Sequence, residues 1–79
     1  MYPKFEYTFD VMGTEQTIRS YEAQVAKELL LLRICGDDTS NGYWDEDLHR
    51  AQNTGLGRLV WPVIEAQEPK IKELPLLAA

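Results

Sequence analysis

Five carboxylates fall within eleven residues of this chain: Asp37, Asp38, Asp45, Glu46 and Asp47. Clustered carboxylates hold divalent cations when their spacing suits the ion. With Gly42 at the sixth position of an EF-hand-type loop, Asp37 stands at position 1, Thr39 at 3, Asn41 at 5, Asp45 at 9 and Leu48 at 12. Leucine cannot supply the bidentate carboxylate required at position 12, and threonine is a poorer ligand than aspartate at position 3. The spacing favours a capped, solvated loop, and no metal or other cofactor is expected.

The other chemistry-bearing residues are equally sparse. Cys35 and His49 are the single thiol and the single imidazole, the minimum for a nucleophile and its base. Cys35 ends an apolar run, where a thiol is usually an inert small hydrophobe, and no third group is spaced to orient the histidine. Zinc wants three or four nitrogen or sulfur ligands, and two are present. Gly55-Leu56-Gly57-Arg58 has a G-x-G start but lacks the third glycine and the Lys-Ser/Thr of phosphate loops. It reads as a flexible connector. No constellation supports an enzyme or a small-molecule substrate.

Charge by segment sharpens the picture. The 79 residues carry 8 basic and 13 acidic side chains, a formal net charge of −5, and the isoelectric point is about 4.7. Residues 1–35 hold four cations against five anions, residues 36–53 one against five, and residues 54–79 three against three. The excess is thus local to the acidic window. Its sign opposes direct binding to nucleic-acid phosphates. It suits instead a surface that mimics phosphates and docks on a basic groove.

Length and apolar pattern bound the architecture. One small domain fits 79 residues. One cysteine makes no internal disulfide, which points to a reducing, cytoplasmic setting or to incorporation in a larger particle. The longest apolar run, Leu29 to Leu32, is far too short to span a bilayer, so no membrane is expected. Met1-Tyr2-Pro3-Lys4 leads into alternating polar and apolar residues, which is not a secretory signal pattern.

The elements follow from periodicity. Phe5, Tyr7, Phe9 and Val11 alternate with polar residues over about 4–11, a half-buried strand. Met12-Gly13-Thr14 turns the chain, and Glu15 to Arg19 can pair back with Gln16 and Ile18 on one face. Ser20 is a suitable N-cap for a main helix over about 21–35, ended by Gly36. Tyr21, Val25, Leu29 and Leu32 form a stripe that Ala23, Ala26, Leu30 and Ile34 widen, with Leu31 outside it. A helix apolar on more than one side needs cover, and so small a chain offers little. Leu30 and Leu31 are therefore expected to meet a second chain.

A short helix is expected over 43–53, with Asp45, Glu46 and Asp47 in its first turn. Residues 56–67 read as extended, with Pro62 on an edge strand; a helix starting near Pro62 is the rival. Residues 1–69 then form the domain and 70–79 an extended arm. Ile71, Leu74, Leu76 and Leu77 would make that arm adhesive toward a sheet edge or groove.

The expected fold class is α+β: a small single domain with an N-terminal strand or hairpin packed on one main helix, a short second helix and an extended C-terminal arm. The expected function is a non-enzymatic protein–protein interaction or assembly subunit, such as an accessory component of a phage particle or other large complex, binding a protein partner or copies of itself. The alternative is a small acidic inhibitor of the anti-CRISPR or anti-restriction type. Expected partner-binding residues are Asp37, Asp38, Tyr43, Trp44, Asp45, Glu46 and Asp47 in the acidic window, Leu30 and Leu31 on the helix, and Ile71, Leu74, Leu76 and Leu77 on the arm.

Overall fold

The alternation of Phe5, Tyr7, Phe9 and Val11 with polar neighbours builds β1 (Phe5–Val11), and Tyr7, Phe9 and Val11 are buried on its inner face. In the computed structural model, which describes residues 5–75, Met12 and Gly13 both adopt positive φ, 55° and 82°. That is the twist a two-residue hairpin turn requires. β2 (Thr14–Ser20) returns antiparallel, with Tyr7 opposite Ile18 and Phe5 opposite Ser20. The expected hairpin is present.

α1 (Ala23–Ile34) starts later than the Ser20 cap would allow. Ser20 is committed to the β ladder opposite Phe5, so the chain cannot turn helical until Glu22. The Ser20 hydroxyl still accepts a hydrogen bond from the Glu22 N–H at 3.5 Å. Tyr21 falls outside the helix and is exposed. The end is as expected: Gly36 takes φ 86°, its N–H donates to the Arg33 carbonyl, and the Asp37 N–H donates to the Leu32 carbonyl. Those two bonds define a Schellman motif.

The expectation that α1 needs a second chain fails. Leu30, Leu31 and Leu32 are each 0% exposed. α1 packs on β2, on α2 (Asp45–Gln52) and on α3 (Gly55–Ala66), which together enclose these three leucines. Leu30 and Leu31 therefore present no surface to a partner.

Residues 55–66 are helical rather than extended. Gly57, Val60 and Ile64 are buried at spacings of three and four, and Trp61 packs beside them. Pro62 lies inside the helix, not at its start. Proline removes the bond to the carbonyl four residues back, here that of Arg58. Both Pro62 and Arg58 are exposed, so the proline sits on the solvent side of the helix. The G-x-G pair is not a loose connector either. Thr54 caps α3: its hydroxyl accepts from the Gly57 N–H at 2.9 Å and donates to the Ala51 carbonyl at 2.8 Å. Gly57 touches the end of α2 so closely that a Cβ there would lie 1.7 Å from the Ala51 carbonyl oxygen.

The expected arm begins as β3 (Lys70–Glu73), antiparallel to β1 with Ile71 opposite Tyr7, and the sheet order is β2-β1-β3. Residues 70–73 thus belong to the domain's own sheet. The Gln67 side chain continues this side of β1: its amide accepts from the Asp10 N–H at 2.8 Å and donates to the Asp10 carbonyl at 2.6 Å.

The Gly57 contact yields a test. Gly57→Ala will lower unfolding free energy by about 2 kcal/mol, because a backbone carbonyl cannot move aside cheaply. Gly55→Ala, with open space around its Cβ position, will leave stability unchanged or raise it. Urea unfolding of the two variants checks the difference.

Candidate functional site

The acidic window joins α1 to α2, and local hydrogen bonds account for part of its composition. The Asp38 carboxylate accepts from the Ser40 N–H at 2.9 Å, closing a turn. Asp47 accepts from the Trp44 N–H at 3.0 Å and from Arg50 Nη2 at 2.7 Å. Trp44 is the N-cap residue of α2, and its indole has no acceptor, so Asp47 supplies the cap from inside the helix. Asp45 and Glu46 share that first turn, where the helix dipole favours anions. Backbone hydrogen bonds are the main reason the carboxyls of Asp38 and Asp47 are held below the ordinary 3.8, from Ser40 and Trp44 respectively; the Ser40 side chain and Arg50 add to the two effects.

Tyr43 leaves the window inward. Its hydroxyl donates to Glu28 Oε1 on α1 at 2.6 Å. Burial, then the adjacent Glu28 carboxylate, raises its ionisation well above the ordinary value. Tyr43 is thus a tether between the loop and α1. Trp44 behaves oppositely, with 75% of its surface exposed.

The structure does not bring Cys35 and His49 together as a pair. The polar neighbours of Cys35 Sγ are the Ala51 carbonyl at 3.9 Å and Thr54 Oγ1 at 3.7 Å, at the α2–α3 joint, and His49 is exposed on α2. Among the described residues, no three His, Cys, Asp or Glu side chains converge as a metal site. No helix among them is long and apolar enough to cross a membrane.

The most unusual surface lies on α3. Leu56, Leu59 and Val63 are exposed and follow one another at three- and four-residue steps, so they line one side of the helix. This row runs beside the buried row of Gly57, Val60 and Ile64. Ile71 is also 60% exposed, although its partner Tyr7 on the same sheet face is buried. α1 seats on β2 and α3 on β1, which leaves the inner face of β3 open. Of the expected arm residues, Ile71 is exposed and Leu74 half-buried, while Leu76 and Leu77 lie outside the described residues. An extended reading of 56–67 hides the α3 row, because alternation would put Leu59 and Val63 beside the buried residues. Two interleaved rows at helical spacing, 56/59/63 and 57/60/64, were the signal for it.

Compared with known proteins, the chain matches no family model, no curated protein and no solved structure. The functional reading rests on its own surfaces.

The capping carboxylates predict a pH response. Groups held below their unfolded value stabilise the fold above that value, and the contribution is lost as pH falls through the lower folded value. Wild-type stability will fall as pH drops below the ordinary carboxylate range near 3.8. In an Asp38→Asn/Asp47→Asn variant the acid limb will be flatter. Urea midpoints measured across that range check this.

Proposed function

We propose that this chain is a non-enzymatic protein–protein interaction module, a subunit that docks on other protein through the open side of α3. The supporting observation is the aligned row of Leu56, Leu59 and Val63, with Leu59 57% exposed on a helix whose other apolar side is already buried in the core. Solitary exposed apolar residues are ordinary on soluble proteins. A row in register on one helix is the pattern of a helix face that lies against a partner. Aliphatic surface of this kind buys affinity only when another apolar surface covers it.

The acidic-inhibitor reading is the weaker of the two. Asp38 and Asp47 spend oxygen lone pairs on local caps, and Asp45 and Glu46 sit where a helix start favours them. Four of the window's five carboxylates thus have a local role that needs no basic partner.

A Leu59→Ser/Val63→Ser variant tests the proposal. Both residues are exposed, so circular dichroism and urea midpoints will stay close to wild type. Binding of an apolar-surface dye will drop several-fold. A partner retained from native-host extract by wild type will be lost by the variant. Equal dye binding and an identical set of retained proteins would rule the α3 face out.

A further inference from the structure

A three-stranded sheet has two outer edges, and here they differ in their capacity for self-pairing. Among the described residues, β2 and β3 are the edge strands, each paired only with β1. Residues directly opposed across an antiparallel ladder share a sheet face, so a second copy can add only in registers that keep inner residues against inner ones. For β3, centring on Ile71 sets Lys70 against Lys72 of the second copy, and centring on Lys72 sets lysine against lysine on the axis. Like charges directly opposed destabilise a ladder, and lysines of this kind guard an edge.

β2 has the reverse property. Centring on Thr17 sets Glu15 against Arg19 of the second copy, twice by symmetry. The same register sets Thr17 against Thr17, Gln16 against Ile18 and Thr14 against Ser20. Glu15, Thr17 and Arg19 lie on the outer sheet face together with Glu6, Lys70 and Lys72. Arg19 lies 3.6 Å from Glu6, and Lys70 lies 3.9 Å from Glu15. Lys72 is opposite Glu6. The second copy therefore extends a row that alternates in sign through Lys72, Glu6, Arg19 and then Glu15 of the other chain, and ends on the Asp10 opposite that Glu15.

A second observation falls on the same edge. An open depression of about 470 Å³ is lined by Glu6, Thr17 and Arg19 from the outer face, by Ile18 with Leu29 and Arg33 of α1, and by Thr39 of the α1–α2 connection. Residues from both faces of a sheet can line one hollow only where the sheet ends. The depression thus marks the free edge of β2, and it includes apolar surface that an added strand would cover.

We propose that β2 is a self-association edge: two copies pair antiparallel about Thr17 into a continuous six-stranded sheet, with Glu15 and Arg19 selecting the register. This goes beyond the α3 proposal and uses a separate surface.

Charge exchange tests it. Sedimentation equilibrium will give a dimer for wild type. Glu15→Lys alone and Arg19→Glu alone will each weaken self-association at least about tenfold, since each converts two attractive contacts into two repulsive ones. An equimolar mixture of the two single variants will dimerise again, because both of its cross-chain contacts join opposite charges. Thr17→Lys, which sets two cations on the axis, will also give monomer. Both charged side chains are largely exposed, so circular dichroism will report folded protein throughout. Leu59→Ser/Val63→Ser will remain dimeric, which separates this edge from the α3 face. A monomeric wild type, single variants as dimeric as wild type, or a mixture of variants that stays monomeric would each overturn the proposal.

Discussion

Three leucines in a row set the constraint that the rest of the fold satisfies. On a helix, successive residues step by about 100°, so Leu30, Leu31 and Leu32 point to three sides of α1. All three are fully buried. No single packing surface can enclose such a helix. The sheet takes one flank, and the α2–α3 pair takes another. That pair must fold back sharply to reach α1, and the Thr54–Gly57 joint makes this possible. One hydroxyl serves both helices, accepting from α3 and donating to the end of α2. The absent Gly57 side chain lets the two backbones meet.

Enclosing α1 determines what is left outside. The burial of Gly57, Val60 and Ile64 orients α3 about its own axis, and this rotates Leu56, Leu59 and Val63 outward. The far end of α3 is also fixed. Lys27 of α1 donates to the Glu65 carbonyl at 2.8 Å, and Gln67 clips to both backbone groups of Asp10. The exposed row is therefore carried by an element anchored at both ends. A surface held rigid before binding loses less freedom on association than a mobile one, which suits the row to recognition better than a loop of the same composition.

Elements with a complete local code could be read from the residues alone. The period of two in β1, Gly13 at the hairpin, Gly36 after α1 and the acidic first turn of α2 each state their role without reference to distant contacts. Three features could not be read this way. Residues 55–66 place Pro62 in a helix, which tertiary packing of Val60 and Ile64 outweighs because the proline faces water. β3 is Lys-Ile-Lys-Glu, fully exposed, and becomes a strand only because β1 offers it an edge. The burial of Leu30 and Leu31 is the third, because part of their cover comes from residues 55–66, a segment that Pro62 makes read as extended.

The acidic window shows how a global property can mislead. A net charge of −5 suggests an acidic protein, yet the excess belongs to one connection. In that connection Asp38 closes a turn, Asp47 caps a helix, and Asp45 and Glu46 lie at the helix's positive end. A chain crossing from α1 to α2 must provide acceptors for backbone N–H groups that no carbonyl reaches, and carboxylates do so while staying solvated. Left over are Asp37 and, of the aromatic residues, Trp44. Trp44 starts α2 with no side-chain acceptor to offer the helix and with most of its ring in water. Nothing in the folding of this loop calls for an indole there, whereas every carboxylate that bonds the backbone has a structural reason to be present. Within the window, the case for contact with another protein therefore rests on Trp44 rather than on the surrounding charge.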